Sequence, residues 1–70
     1  MLINRQDFDL LKTLSTTKEL VSIDTIPSSL KPDFQYYFFG KTLMKENNLL
    51  YAYPHDIRNW VRFVFEKYNG

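Results

Sequence analysis

The chain has 70 residues, 44% hydrophobic and 17% aromatic, with nine Lys or Arg against eight Asp or Glu and a formal net charge of +1. That balance is far from the clearly basic one of a dedicated nucleic-acid binder. With no cysteine and one histidine, the chain has no disulfide and lacks the donor set of a structural zinc site, and no cofactor is expected.

A chain of this size is expected to form one small domain. It buries only about 60% of the surface its unfolded form exposes. Domains below ~70–80 residues rarely gain more than ~3–5 kcal/mol from a single core unless something staples them. Two sources of stability remain: rich aromatic packing, at ~150–250 Å² per buried ring, and a bound partner or second copy, which stabilises by mass action. The N-terminus has no apolar h-region and no run approaches the ~20 apolar residues of a spanning helix. The absence of cysteine fits a reducing compartment. A soluble, cytoplasmic protein is expected.

The first helix opens at Asn4, a good N-cap, with Asp7 placed to reach back as a capping-box partner and Ile3 and Phe8 at the hydrophobic-staple positions. Phe8, Leu10, Leu11 and Leu14 supply its buried stripe, and Ser15-Thr16-Thr17 end it near Ser15. From Glu19 to Ile26 apolar and polar residues alternate, with Val21 and Ile23 on one side and Ser22 and Asp24 on the other, which predicts a short half-buried strand ended by Pro27.

Ser28, Ser29 and Pro32 then read as a helix start, and Gly40 as the residue past its end. In that helix Phe34, Tyr37 and Phe38 share a face while Tyr36 and Phe39 point elsewhere. A strand is the competing reading, because Tyr and Phe favour strands. Either way at least two large aromatics leave the main face. Lys41 to Tyr53 predicts a hairpin, with Lys41-Thr42-Leu43-Met44 and Leu49 to Tyr53 flanking Lys45-Glu46-Asn47-Asn48. One helix from Pro32 through Asn47 is the alternative, in which Gly40 costs ~1 kcal/mol relative to Ala.

The last helix begins at Pro54, with Asp56 in its first turn at the positive end of the dipole. Ile57, Trp60, Val61, Val64, Phe65 and Tyr68 follow at helical spacing as an amphipathic stripe. Asn69-Gly70 close it. The expected fold is therefore α+β: N-terminal helix, short strand, aromatic helical segment, β-hairpin and C-terminal amphipathic helix, with an all-α three-helix domain as the alternative. The predicted core holds Phe8, Leu11, Leu14, Phe34, Phe38, Leu50, Ile57, Trp60, Val61, Val64 and Phe65.

Chemistry-bearing motifs are few. Gly40-Lys41-Thr42 resembles the end of a phosphate-binding loop, but the glycine needed five residues earlier is Gln35. His55-Asp56 is a lone neighbour pair at a helix start, without a nucleophile or an orienting group. Asp7, Asp9, Asp24, Asp33, Glu46, Asp56 and Glu66 are scattered, with no spacing that implies a shared acid–base site. No enzymatic role is expected. Arg58, Arg62 and Glu66 lie one turn apart on the polar face of the last helix, where a solvated face with an Arg62–Glu66 pair competes with a phosphate- or carboxylate-binding edge.

Of twelve Phe, Tyr and Trp residues, only Phe8 precedes position 34. This surplus predicts a small protein-interaction module presenting an aromatic patch to a protein partner or to itself as a homo-oligomer. Tyr36, Phe39, Trp60, Phe63 and Lys67 are the candidate interaction residues. The competing expectation for Phe63 is that the hairpin covers it as core. The runner-up function is nucleic-acid binding. The order of helix, strand, helix, hairpin and helix partly resembles a winged-helix layout, which implies Lys41 and Lys45 on the wing and Arg58 and Arg62 on the last helix. Aromatics interleaved with Lys would instead suit stacked single-stranded bases. Membrane-surface binding is disfavoured, because the polar face of the last helix mixes Arg, Asn and Glu.

Overall fold

Helix α1 spans Arg5–Leu14, and its start is fixed by Asn4, whose side chain accepts a 2.8 Å hydrogen bond from the Asp7 amide. A computed structural model of the chain describes residues 3–69. The Asp7 carboxylate does not close the expected capping box on the Asn4 backbone. It accepts from the Asn4 side-chain amide at 3.2 Å and from the Ser29 hydroxyl. That second bond ties the start of α1 to a segment 22 residues on and satisfies a carboxylate that is only 7% exposed. Ser15 ends the helix, its amide donating back to Leu11.

The strand expected over Glu19 to Ile26 contracts to β1, Val21–Ser22. Ser22 accepts through its hydroxyl from the Asp24 amide and through its carbonyl from the Thr25 hydroxyl, so the chain turns into a 3-10 helix, Ile23–Thr25. Short polar side chains compete with ladder pairing in this way. A second 3-10 turn, Ser28–Leu30, leads into helix α2, Lys31–Phe38, with Pro32 in its first turn. Gly40 follows at φ +82°, the left-handed backbone that stops the helix.

The hairpin is formed by β2, Met44–Glu46, and β3, Leu49–Ala52. Its turn is only Asn47-Asn48, at φ 51° and 66°, and positive φ at both central residues marks the primed two-residue turns that match strand twist. The first strand therefore begins at Met44 and not at Lys41: Glu46 pairs with Leu49 beside the tight turn, and Met44 pairs with Tyr51. β1 joins the other edge of β3, with Val21 opposite Ala52, giving an antiparallel sheet of order β1-β3-β2. Helix α3, Pro54–Asn69, completes the α+β fold, and the all-helical alternative falls with the appearance of the sheet.

The core is built on α3. Ile57, Trp60, Val61 and Val64 are essentially inaccessible, and Leu11, Leu14, Phe34, Phe38, Val21 and Ala52 close around them. Each buried side chain of this size contributes roughly 1.5–3 kcal/mol. Ile26 and Leu30, from the irregular segment between β1 and α2, are also core residues that periodicity did not select. Three predicted core members are not buried. Phe8 is 37% exposed and leans on half-buried Phe65 with ring centroids 5.6 Å apart, an edge pair along α1 and α3. Leu50 is also 37% exposed, opposite Lys45 near the free end of the hairpin.

Candidate aromatic interaction surface

Helix α2 sorts its side chains onto three flanks. Phe34 and Phe38 point into the core, Phe34 meeting Trp60 edge-on at 5.3 Å. Asp33, Tyr36 and Tyr37 turn toward the outer flank of α3, where Phe63 and Lys67 lie one turn apart. Phe39, just past the helix end on extended backbone (φ −60°, ψ 123°), projects into solvent.

The surface that results is aromatic. Tyr36 is 77% exposed and Phe39 90% exposed. Phe63 is half-buried beneath the two tyrosines: its ring stacks on Tyr36 at 6.3 Å and meets Tyr37 at 5.1 Å. Phe63 packs on the core cluster from the outside and is covered by Tyr36 and Tyr37 of α2, where the competing expectation had the hairpin cover it. Trp60 is fully buried and gives this surface nothing directly. It was placed with Phe63 because the two are close in sequence, but along a helix residues three apart differ by about 60°, enough to separate core from rim.

The lysines frame the patch. Lys41 stands over the Tyr37 ring, 5.0 Å from its centroid, a cation–π geometry. Lys67 donates to Asp33 Oδ1 at 2.5 Å, while the Tyr68 hydroxyl donates to Oδ2 at 2.7 Å. Burial works against the charge on Asp33, yet the hydrogen bonds from Lys67 and Tyr68 outweigh it and hold the carboxyl below its ordinary pKa. Lys67 is raised, chiefly by its bond to Asp33, and Tyr68 is raised for the same reason. This latch fastens α2 to α3 and was missed at the sequence level. Asp33 and Lys67 are 34 residues apart, and nothing local pairs them.

The four cations assigned to nucleic acid come from three parts of the chain, and only Arg58 and Arg62 are seen to share a groove. Lys41 is on Tyr37, and Lys45 is exposed on β2 opposite Leu50. Arg58 donates through Nη1 to the Thr17 carbonyl at 2.7 Å, so it holds the connection after α1. Arg62 lines, together with Arg58, a groove along α3 that also contains Ser15, His55 and Phe65. Among the described residues the ion pairs within 4.0 Å are Arg5–Asp9 and Lys67–Asp33, so the expected Arg62–Glu66 pair is not made. Gly40-Lys41-Thr42 connects α2 to β2, the reverse of the strand-to-helix setting a phosphate loop needs. His55 meets Asn59 at 3.2 Å and no nucleophile.

Among the described residues no group of three or more His, Cys, Asp or Glu is placed to hold a metal, and no helix is long and apolar enough to cross a membrane. Compared with protein-family models, curated proteins and solved structures, the chain finds no match in any of the three.

Proposed function

We propose that this chain is a non-enzymatic protein-interaction module that acts by occupying a protein surface through Tyr36, Phe39 and Phe63. One observation carries the reading: two large aromatics, Tyr36 and Phe39, stand 77% and 90% in water side by side in sequence with core aromatics, over a third ring that supports one of them. Exposed apolar residues scattered singly need no explanation, whereas a contiguous patch marks a contact. Aromatic anchors at the centre of a patch are what binding hot spots are made of. Lys41 and Lys67 at its edge supply a polar rim.

The test is to separate binding from folding. Tyr36→Ser and Phe39→Ser, both at exposed positions, should stay within about 0.5 kcal/mol of the parent in urea unfolding. Each should lose most of the capture of a protein partner that the parent retains on beads. Unfolding of these variants, or capture that does not change, contradicts the reading.

Nucleic-acid binding is the second reading, and the observation in its favour is the order of elements, which partly resembles a winged-helix layout. Its weakness is that Lys41 and Arg58 are engaged within the fold, on the Tyr37 ring and the Thr17 carbonyl. Binding of that kind falls steeply with salt, so salt-independent association would set it aside.

A further inference from the structure

Phe39 and the cleft beside it form a knob and a hole on one chain. Phe38 and Phe39 are consecutive, but the first is buried and the second is 90% exposed, because the chain leaves the helix between them. Among the described residues Phe39 has no ring partner, although its neighbours are paired. On the flank of α2 turned away from Phe63, a cleft of about 250 Å³ runs between the helix, the first 3-10 turn and the segment before β2. Ile26, Phe34 and Phe38 form its apolar floor, Leu43 closes one side, and Lys31 and Gln35 stand at its solvent edge. A rigid apolar cavity of about 150 Å³ in another protein already admits benzene. The cleft is open to solvent on one side and has the volume for one phenyl ring.

We propose that the chain self-associates as a two-fold dimer in which Phe39 of each copy inserts into the α2 cleft of the other. This rests on the protein-contact reading above and names its partner, a second copy. Both halves of the contact are present on the same chain, so no foreign chemistry is required. Knob and hole flank the same short helix, and a two-fold axis beside α2 closes the contact on itself, each copy giving what it receives. Lys31, without a carboxylate partner among the described residues, lies where it can face the inserted ring as a cation–π partner. Dimerisation also supplies what a 70-residue chain without cysteine lacks, a staple that stabilises by mass action.

Sedimentation equilibrium of the full chain over a dilution series from micromolar to submillimolar tests this. The parent should move from one to two chain masses. Phe39→Ser should weaken the dimer about tenfold or more, with folding checked by far-ultraviolet circular dichroism. Leu43→Trp, which fills the cleft from within, should weaken it similarly. Gln35→Trp covers the same cleft from the helix side should Leu43→Trp fail to fold. Mixing Phe39→Ser with a cleft-filled variant should restore association, because one intact insertion becomes available to the pair. A monomeric parent at the highest concentration, or a dimer indifferent to Phe39→Ser, or one indifferent to filling the cleft, overturns the proposal. A monomer that still captures a foreign protein through Tyr36 leaves the broader contact reading standing.

Discussion

Asp33 shows how one residue can fasten two elements. Its carboxylate is 8% exposed and receives Lys67 and Tyr68 from α3. Asp33→Asn should lower stability by about 1 kcal/mol, as expected for weakening hydrogen bonds to a mostly buried acceptor; urea midpoints at neutral pH would read it. The pH dependence has a definite sign. The folded-state pKa of Asp33 lies below its unfolded value, so the unfolded chain binds the proton more readily. The stabilisation is therefore present above about pH 4 and is lost as the pH falls through the folded value. Lys67 and Tyr68 are raised, and their contribution is lost at the alkaline end, above about pH 10. The acid-side loss should be smaller in Asp33→Asn than in the parent, and equal losses would show that Asp33 is not the group responsible.

At the scale of elements, three left-handed positions, Gly40, Asn47 and Asn48, decide where structure stops. Gly40 sits at φ +82°, and a Cβ placed there would meet nothing within 4 Å. Gly40→Ala should thus cost only backbone strain, about 1 kcal/mol, visible as a lower urea midpoint with unchanged circular dichroism. Asn48, at φ 66°, should accept glycine at no loss, because glycine adopts positive φ freely. Both helix ends of α1, the start of α3 and the stop at Gly40 were legible, since caps and prolines act through neighbouring backbone. The strands were less so. β1 shrank to two residues because Ser22 bonds to its own backbone neighbours, and β2 began three residues late because the Asn47-Asn48 turn is tighter than a four-residue loop. Periodicity marks which residues face inward but not where hydrogen-bonded pairing begins.

At the scale of the molecule, α3 is the spine, and Trp60 is its largest fully buried side chain. Trp60→Ala removes ~3–5 kcal/mol, as much as a chain of this size holds in total, about 3–5 kcal/mol. The variant should be unfolded by circular dichroism at room temperature. As the only tryptophan, Trp60 should also emit at short wavelength in the parent and shift to the red on unfolding. The core along α3 was legible because a 16-residue helix repeats its inward face many times. Ile26 and Leu30 were not, since they sit at the ends of 3-10 turns too short for an inward face to repeat. The aromatic surface was half legible: Phe39 leaves the core face in either local reading and Tyr36 does so only in the helical one, whereas the support from Phe63 and the Asp33 latch depend on how α2 meets α3.

The proposed contact requires Tyr36 and Phe39 to be contact residues and not misplaced core. The most direct measurement is capture from a lysate of the source cells after nuclease treatment, with the parent chain and the Tyr36→Ser/Phe39→Ser double variant as parallel baits. The parent should retain a stoichiometric protein band, or a second copy of the chain, that survives nuclease, and the folded double variant should lose it. A signal that vanishes with nuclease, or one the double variant retains in full, would contradict the proposed contact.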